Sequence, residues 1–520
     1  MYNLIIKNGK VIDGTGGPYF RSDIAIKGGK IAKIGRNLCG AEKIIDADNL
    51  TVAPGFIDSH SHSDSSLLTY PDLKEKIEQG ITTSIAGQCG DSPAPISRGI
   101  HPDKARVIEG FGKVTDIYRT MGTFLDVAKE QSYGSNTMCL VGHSQLRKAV
   151  MGMDKREPST EEMEKMKLLL RDAMEHGALG MSMGLIYPPS SYSKLEELVE
   201  LSKIVAEYGG VVSSHIRNEG AQLIKATEEF IEIIKRSGVR GIHSHHKACG
   251  SSENWGKVTH SLKLIDKANE EGTEIYCDVY PYIATHTSAS VRFVPDSGQN
   301  LLERLKNEKE REKMKEWGRA QWGEDLSWAQ VTRCTAYPQY EGLRIPEIAK
   351  LHGKDIYDTV YDMILDSSNA CSCCYFTMCE EDVETVMAHP RAMICTDSGV
   401  AEERTVYHPR MRGAFPRALG RYVRERGVVS LPEMIRKMTS MPAAVYGLWS
   451  KGIIREGMDA DICIFDADKI IDRSEYTDCI KGAEGLNYVI LGGEVVCEDA
   501  VFNGKRNGKL ILREGNLQWI

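Results

Sequence analysis

The stretch Phe56-Ile57-Asp58-Ser59-His60-Ser61-His62-Ser63-Asp64 predicts both the fold and the chemistry of this chain. An apolar run ends in His60 and His62, and alternate residues of an extended strand point to the same side. Two imidazoles that project together from a strand end can hold one divalent metal ion. By itself, a His-x-His pair is more often two solvated or hydrogen-bonded histidines. The metal prediction therefore depends on further ligands at the ends of later strands.

Residues 56–445 alternate strand-like and helix-like stretches, which is typical of a parallel sheet with crossover helices. The apolar strand candidates are residues 56–60, 82–89, 137–143, 179–184, 211–215, 241–245, 274–280 and 392–397. Amphipathic helical segments separate several of them, among them residues 161–176, 194–208, 222–237 and 261–271. Eight such units predict a (β/α)₈ barrel, in which functional residues cluster where strands end.

Both ends of the chain consist of short strands separated by glycine and asparagine, a pattern typical of a small β-sandwich. We predict that residues 1–55 and 446–520 pair into one sandwich domain, with the catalytic barrel inserted between them. Residues 290–375 do not follow the barrel rhythm, since they contain a charged helix at 301–317 and a tryptophan-rich stretch. This region is predicted to be an insertion over the barrel mouth.

Composition excludes several classes of function. The chain has 520 residues, of which 41% are hydrophobic and 27% charged, as in soluble globular proteins. A formal charge of −8 without any basic run argues against nucleic acid as a partner. The start is a short strand and turn rather than a signal peptide, and no apolar run is long enough to span a bilayer. The 14 cysteines lack the framework of a secreted domain, so we expect reduced thiols and a cytoplasmic location.

Metal-ligating residue types end or follow several strand candidates. Each has an ordinary alternative: a buried small hydrophobe for cysteine, a hydrogen-bonded core residue for histidine, and a helix or turn cap for aspartate. Six such coincidences at strand ends are improbable together, and the donors suit zinc, with enough ligands for two adjacent ions. The predicted ligands are His60, His62, Cys89, His215, His245 and Asp397.

A second cysteine-rich stretch, Cys371-Ser372-Cys373-Cys374 followed by Cys379, also suggests a zinc site. Its spacing differs from that of the usual paired-cysteine knuckles, and the stretch has the pattern of a strand that leads into a helix. We therefore interpret these residues as buried thiols.

The ordered motifs resemble those of the amidohydrolase superfamily, specifically its D-aminoacylase (N-acyl-D-amino-acid deacylase) branch, over nearly the whole chain. The resemblance implies a metal-binding (β/α)₈ barrel with a β-sandwich built from both chain ends. The motifs that carry it are Ala53-Pro54-Gly55-Phe56-Ile57-Asp58 before the two histidines, Gly87-Gln88-Cys89-Gly90, Leu140-Val141-Gly142-His143, Gly177-Ala178-Leu179-Gly180, Tyr187-Pro188-Pro189, Ser214-His215-Ile216-Arg217-Asn218-Glu219, Ser244-His245-His246-Lys247, Thr396-Asp397-Ser398-Gly399, His408-Pro409-Arg410, Gly413-Ala414-Phe415-Pro416-Arg417, Lys437-Met438-Thr439-Ser440 and Gly457-Met458-Asp459-Ala460-Asp461.

The resemblance also implies roles for the ligands. In this branch a cysteine, here Cys89, replaces the modified bridging lysine of hydantoinases and dihydroorotases. Cys89, His215 and His245 would hold a tight zinc ion, and His60, His62 and Asp397 would line a second, weaker position. Zinc would lower the pKa of bound water towards about 7 and polarise the amide carbonyl. Asp397 would take the proton of the water and deliver it to the departing amine. His143 has no assigned role.

Substrate binding is predicted from the same family pattern. Arg217 would hold the substrate carboxylate bidentately, unless it forms a surface or interdomain salt bridge. The family commonly has Thr-Ala-Gly-Ser after Tyr282, whereas this chain has Ile283-Ala284-Thr285-His286, so the usual serine is replaced by His286 or its role passes to Ser288. Tyr187 and a tyrosine of Tyr280-Pro281-Tyr282 could add hydrogen bonds. The predicted substrate-binding residues are Arg217, Tyr187, Tyr282, Lys247, Ser288 and His286.

The expected function is zinc-dependent hydrolysis of N-acyl-D-amino acids, which are small-molecule substrates. Hydantoinase-like hydrolysis of cyclic amides is the alternative, but Cys89 stands in place of the bridging-lysine motif. A catalytically silent binding protein is a further alternative, but it would have no reason to keep Asp397. The preference for D substrates rests on the resemblance alone. The sequence leaves open the acyl group, the amino-acid side chain and the number of metal ions. It also leaves the oligomeric state open, and a homo-oligomer is compatible with it.

Overall fold

The computed structural model describes residues 1–96, 107–108, 112–400 and 404–513. Within them, eight parallel strand positions form a barrel in chain order, each strand pairing with the next. The strands are Phe56–Asp58, Ile81–Ala86, Asn136–Cys139 continued by Val141–Gly142, Gly180–Gly184, Val211–His215, Arg240–His243, Ile275–Val279 and Ala392–Ile394. The predicted barrel is confirmed.

The barrel closes between its first and last strands, just beyond their carboxyl ends. The amide of Asp397 donates to the carbonyl of His60 at 2.9 Å, and the amide of His62 donates to the carbonyl of Ser398 at 3.1 Å. Ser61 and Ser398 form a parallel bridge between these hydrogen bonds. Because the contacts involve predicted metal ligands, closure of the barrel also brings His60, His62 and Asp397 together.

Amphipathic helices cover the barrel, and the four predicted helical segments are confirmed to within a few residues. Local sequence explains the start of Thr160–Glu175, where Ser159 and Glu162 form a reciprocal capping box. None of the helices in the described ranges has the length and apolar character that crossing a bilayer requires. The helices outside the insertion are Lys74–Ile77, Val114–Ile117, Met121–Ala128, His143–Met151, Thr160–Glu175, Leu195–Glu207, Leu223–Ser237, Lys257–Glu270, Glu380–Ala388, Arg410–Arg417, the π-helical Ala418–Glu425, Leu431–Met438 and Ser440–Tyr446, with 3₁₀ turns at Asp64–Ser66, Ser190–Tyr192 and Ser252–Asn254.

The two chain ends share one nine-stranded sheet. The strand Thr51–Pro54 pairs antiparallel with Ile462–Phe465, which joins the N-terminal and C-terminal segments as predicted. The isoleucine-rich and valine-rich strands of this sheet bury an apolar core that is separate from the core of the barrel. The remaining strands of this sheet are Tyr2–Val11, Phe20–Lys27, Lys30–Gly35, Ala41–Asp46, Leu486–Leu491, Glu494–Glu498 and Val501–Phe502; short pairs form at Ser132–Tyr133 with Gly508–Lys509 and at Val107–Ile108 with Gly112–Lys113.

The predicted insertion has its own three-stranded antiparallel sheet and apolar core. Cys371–Tyr375 is the central strand, between Thr285–Ser288 and Ala329–Cys334. The sheet therefore begins at Thr285, five residues before the predicted boundary. Its helices are Ala289–Phe293, Leu301–Lys306, Glu308–Trp322, Ile345–His352 and Ile356–Asp366, with a 3₁₀ turn at Pro338–Tyr340. Cys371, Cys373 and Cys374 are buried free thiols, as interpreted from the sequence, and Cys379 is half-buried.

Candidate metal centre and reaction cavity

The six predicted ligands meet at the carboxyl end of the barrel. His60 and His62 follow the first strand, Cys89 the second, His215 ends the fifth, His245 follows the sixth, and Asp397 follows the eighth. They form two groups, His60 with His62, Cys89 and Asp397, and Cys89 with His215 and His245. Within each group the ligand atoms lie within 4.8 Å of one another. Cys89 belongs to both groups.

The distances place the Cys89 sulfur between the two groups. Its Sγ lies 3.3 Å from His60 Nε2, 3.3 Å from His245 Nε2 and 3.7 Å from His215 Nδ1. On the other side, Asp397 Oδ1 lies 3.1 Å from His62 Nε2 and 3.4 Å from His60 Nε2. Buried thiol, imidazole and carboxylate groups that converge in this way fit one or two zinc ions.

The electrostatics of Cys89 agree with that fit. Burial, and then the neighbouring Asp397 carboxylate, raise the pKa of the Cys89 thiol well above its ordinary value. A metal ion binds the thiolate, so binding must release the thiol proton. Cys89 is therefore a group whose charged form needs a cation beside it.

Three of the ligands have a left-handed backbone. The φ angles are +55° for Cys89, +36° for His245 and +47° for Asp397, a region that residues other than glycine seldom occupy. Such strain concentrates at functional sites, where the surrounding structure maintains it. The backbone of Cys89 also packs directly against Gly184, where a Cβ atom would lie 1.9 Å from the Cys89 carbonyl oxygen, so only glycine fits at position 184. The unusual backbone conformation of Cys89, His245 and Asp397 therefore determines the direction of their side chains.

Glu219 is a site residue to which sequence reasoning gave no role, although its motif was noted. Its Oε1 lies 3.0 Å from His245 Nδ1 and 2.6 Å from Lys247 Nζ, and its Oε2 lies 3.4 Å from His215 Nε2. Burial by itself would raise the pKa of Glu219. The positive charges of His215 and Lys247 have the larger effect together and hold that pKa well below its ordinary value. Glu219 is thus an anion behind both histidines of one ligand group.

Arg410 is the second residue without a predicted role. Its Nη1 donates to Asp397 Oδ2 at 2.6 Å, and its guanidinium lies 4.6 Å from the centre of the Tyr280 ring. Burial by itself would raise the pKa of Asp397. Arg410, and to a smaller extent His245, outweigh burial and hold that pKa well below its ordinary value. The only sequence signal for Arg410 was its place in the His-Pro-Arg motif.

A cavity of about 400 Å³ opens beside the ligands. Among the predicted substrate-binding residues, it is lined by Tyr187, Lys247 and His286. The Tyr187 ring packs edge-on against His215, with 5.1 Å between ring centres. Burial, and then Arg410, lower the pKa of His286 to about 3, so this imidazole is neutral at physiological pH. Other lining residues include Asp91, Ser144, Lys148, Glu219, Tyr280, Arg292, Tyr407 and Arg410.

Arg217, a predicted substrate-binding residue, is not among the residues that line this cavity. Its Nε lies 2.9 Å from Glu229 Oε2, and its other nitrogens donate to the carbonyls of Ser191 and Ser193. All three guanidinium nitrogens are therefore engaged by the protein itself. The salt-bridge alternative describes this residue, because helix Leu223–Ser237 brings Glu229 beside it.

Tyr282 and Ser288 also lie outside the reaction cavity. The Tyr282 hydroxyl donates to Asp472 Oδ2 at 3.0 Å, and Tyr280 faces the cavity in its place. Ser288 lines a neighbouring cavity of about 540 Å³, with its Oγ 3.3 Å from that of Ser290. The sequence left Tyr280 and Tyr282 open, and Tyr280 is the one that lines the cavity because the chain leaves the barrel after Val279 and enters the insertion sheet at Thr285.

Two other histidines are held away from the ligand groups. His143 Nδ1 lies 2.5 Å from Ser190 Oγ, and its Nε2 lies 2.8 Å from Glu197 Oε1. His246 Nε2 lies 2.7 Å from Ser261 Oγ. Both rings therefore hydrogen-bond to side chains outside the ligand groups, and His245 is the member of the adjacent pair that faces Cys89.

The chain is similar to known proteins in both sequence and structure. The model of the amidohydrolase family matches residues 43–314 and 382–497. D-aminoacylase of Alcaligenes xylosoxydans xylosoxydans is 32% identical over 98% of both chains, and N-acyl-D-glutamate deacylase of the same organism is 33% identical over 99% of this chain and 97% of its own. The structure of N-acyl-D-glutamate deacylase from Bordetella bronchiseptica, complexed with zinc and a phosphonate mimic of the tetrahedral intermediate, superposes with a TM-score of 0.83 at 31% identity, over 99% of this chain and 100% of that one.

Proposed function

The chain belongs to the amidohydrolase family, and we propose that it hydrolyses N-acyl-D-amino acids to a carboxylic acid and a free D-amino acid. The observation that carries this proposal is Cys89, which is shared by two ligand groups beside a cavity that contains Arg410 and Lys247. The relatives named above, a D-aminoacylase and an N-acyl-D-glutamate deacylase, support the choice of linear amides over cyclic ones.

We propose zinc as the metal, with Cys89, His215 and His245 as the tight site. His60, His62 and Asp397, together with Cys89, form the weaker site. A zinc ion, when bound, supplies Lewis acidity that activates water near neutral pH. The remaining chemistry belongs to side chains of the protein.

Asp397 is the proposed general base and acid. Because Arg410 occupies Oδ2, the atom that faces His60 and His62 is Oδ1. This oxygen takes the proton of the attacking water and delivers it to the nitrogen of the departing amine. The low pKa of Asp397 keeps it ionised, and hence able to accept a proton, across the physiological pH range.

The substrate carboxylate requires a cation in the cavity. With Arg217 engaged elsewhere, we propose Arg410, whose guanidinium lies beside the Tyr280 ring, as the group that binds the substrate carboxylate. Lys247 also lines the cavity and adds positive charge, although its ammonium already contacts Glu219 and His245. Among the residues that the structure describes, four cationic side chains line the cavity, Lys148, Lys247, Arg292 and Arg410, against the three carboxylates of Asp91, Glu219 and Asp397. Bound zinc adds further positive charge, so the cavity favours an anionic substrate.

We also propose a cytoplasmic location. The support is that Cys334 and Cys371 are register partners in adjacent strands and are free thiols. Such a pair is compatible with a reducing compartment.

The test is turnover of a panel of N-acetyl and N-formyl amino acids in both enantiomers by zinc-loaded protein, read as released amine. We expect release from D but not L substrates, loss on chelation and recovery on adding zinc. Asp397→Asn should lower kcat by about 100-fold or more at unchanged fold. Absence of release from every D substrate, with zinc bound, would contradict the proposal.

A further inference from the structure

A buried lysine lies directly behind the segment that carries Asp397. Lys76, in the short helix Lys74–Ile77, is fully buried, as is its ion-pair partner Asp58. The Lys76 ammonium donates three hydrogen bonds: to Asp58 Oδ2 at 2.9 Å, to Thr396 Oγ1 at 2.8 Å and to the carbonyl oxygen of Ser398 at 2.8 Å. An ammonium has three donors, so its capacity is filled.

Asp58 completes the same network from the end of the first barrel strand. Its Oδ1 accepts from the amide of Thr396 at 2.9 Å and from the amide of His60 at 3.3 Å. Its Oδ2 accepts from the Thr396 hydroxyl at 2.7 Å. The pair therefore joins the first and last strands of the barrel at the level of the metal ligands.

These contacts hold the residues on both sides of Asp397. Thr396 is fixed at its amide and hydroxyl, and Ser398 is fixed at its carbonyl, while Asp397 between them has φ +47°. The Ser398 carbonyl also accepts from the amide of His62. A left-handed residue between two fixed neighbours can keep its strained backbone, and with it the direction of its carboxylate.

We propose that Lys76 is a positioning residue, which through Thr396 and Ser398 holds the Asp397 carboxylate in its working orientation towards His60 and His62. Lys76 contacts neither the cavity nor the ligand side chains. Its effect is on the backbone, so it acts on the weaker ligand group and leaves Cys89, His215 and His245 in place. The inference rests on the proposed role of Asp397.

The test compares Lys76→Met, the double variant Lys76→Met/Asp58→Asn, and Lys437→Met as a matched control. The double variant removes both charges, which avoids an unpaired buried carboxylate. Lys437 is also fully buried and also donates to carbonyls of the last-strand region, those of His389 and Ala392, but it does not contact the segment of Asp397. The measurements are thermal unfolding, zinc per chain, kcat and KM on the best D substrate, and the absorption of the cobalt-substituted protein.

We expect a folded double variant whose kcat is about 100-fold lower at nearly unchanged KM, since misplacement of a catalytic group by about 1 Å can have this effect. Zinc per chain should fall, whereas the thiolate-to-cobalt absorption of the Cys89 group should remain. Lys437→Met should keep wild-type kcat and zinc content. The Lys76 proposal is overturned by wild-type kcat in a folded double variant, or by failure of both Lys76 variants to fold while Lys437→Met folds. Inactivity of the wild-type chain on every substrate would instead count against the proposed function.

Discussion

At the scale of single residues, the site depends on carboxylates whose partners set their charge and direction. Glu219 contacts both histidines of one ligand group, and Asp397 is held by Arg410 in the other. A carboxylate behind metal-bound imidazoles, as Glu219 lies behind His215 and His245, orients them and makes them stronger ligands. Two separate predictions follow from these two contacts.

Glu219→Gln should weaken metal binding by about 10- to 100-fold, because it removes the negative charge beside His215 and His245. The measurement is competition for zinc against a chelator of known affinity. Glu229→Gln is the matched control, since Glu229 is a glutamate in an ion pair with Arg217, outside the cavity. Equal zinc affinity in the two variants would show that Glu219 does not orient the ligands.

Arg410→Met should move the acid limb of the kcat–pH profile to higher pH. Arg410 lowers the pKa of Asp397, so its removal raises that pKa, and the ionised base is then lost at a higher pH as the solution is acidified. Measuring kcat at saturating substrate separates this effect from weaker substrate binding. Arg412→Met is the control, because Arg412 pairs with Glu75 and Glu78 instead. An acid limb at the wild-type position would refute this role of Arg410.

At the scale of elements, the insertion supplies part of the cavity wall. Its first strand Thr285–Ser288 carries His286, and the following helix Ala289–Phe293 carries Arg292. The Arg292 guanidinium lies 5.0 Å from the ring centres of both Trp322 and Tyr375. Within the described residues no carboxylate forms a salt bridge with Arg292, so its charge is available to a ligand in the cavity.

Arg292→Met should lower kcat/KM for N-acetyl-D-amino acids with acidic side chains by about 10- to 100-fold, since a hydrogen bond to a charged group contributes about 1.5–3 kcal/mol. Substrates with apolar side chains should be affected much less. Arg311→Met is the control within the insertion, because Arg311 pairs with Asp358 and Asp362. A uniform loss over all side chains would assign Arg292 to packing of the insertion.

At the scale of the whole molecule, folding buries several histidines as neutral groups. His243 is the buried last residue of strand Arg240–His243, and burial lowers its pKa to about 4. In the unfolded chain its pKa is near the ordinary value of 6.5, so between these two values the unfolded state binds the additional proton. This contribution to stability is therefore present above pH 6.5 and is lost as the pH falls towards 4.

His243→Gln should reduce the fall in the free energy of unfolding between pH 7 and pH 4 by as much as about 3 kcal/mol. Urea unfolding of the metal-free protein at several pH values measures this slope. His260→Gln is the control, since His260 is exposed on helix Lys257–Glu270. If both variants keep the wild-type slope, the buried imidazole does not account for acid sensitivity.

The barrel, the paired chain ends and the convergence of the six candidate ligands could be predicted from the sequence, because each follows from the pattern of strands and helices. Strand and helix periodicity determines the order of the elements, and in a parallel barrel the carboxyl ends of all strands meet at one rim. Residues at those ends, such as His60, Cys89 and Asp397, therefore come together without any knowledge of side-chain contacts.

Only the tertiary structure decided which cationic side chains line the cavity and which residues contact the candidate ligands from behind. Arg217 and Arg410 look alike in sequence, but folding places Glu229 beside the first and Asp397 beside the second. Likewise, Lys76 meets the Asp397 segment, over 300 residues away in sequence, only because the barrel closes between its first and last strands. A long charged side chain turns towards an oppositely charged group that folding brings near it. Local sequence does not show which group that is.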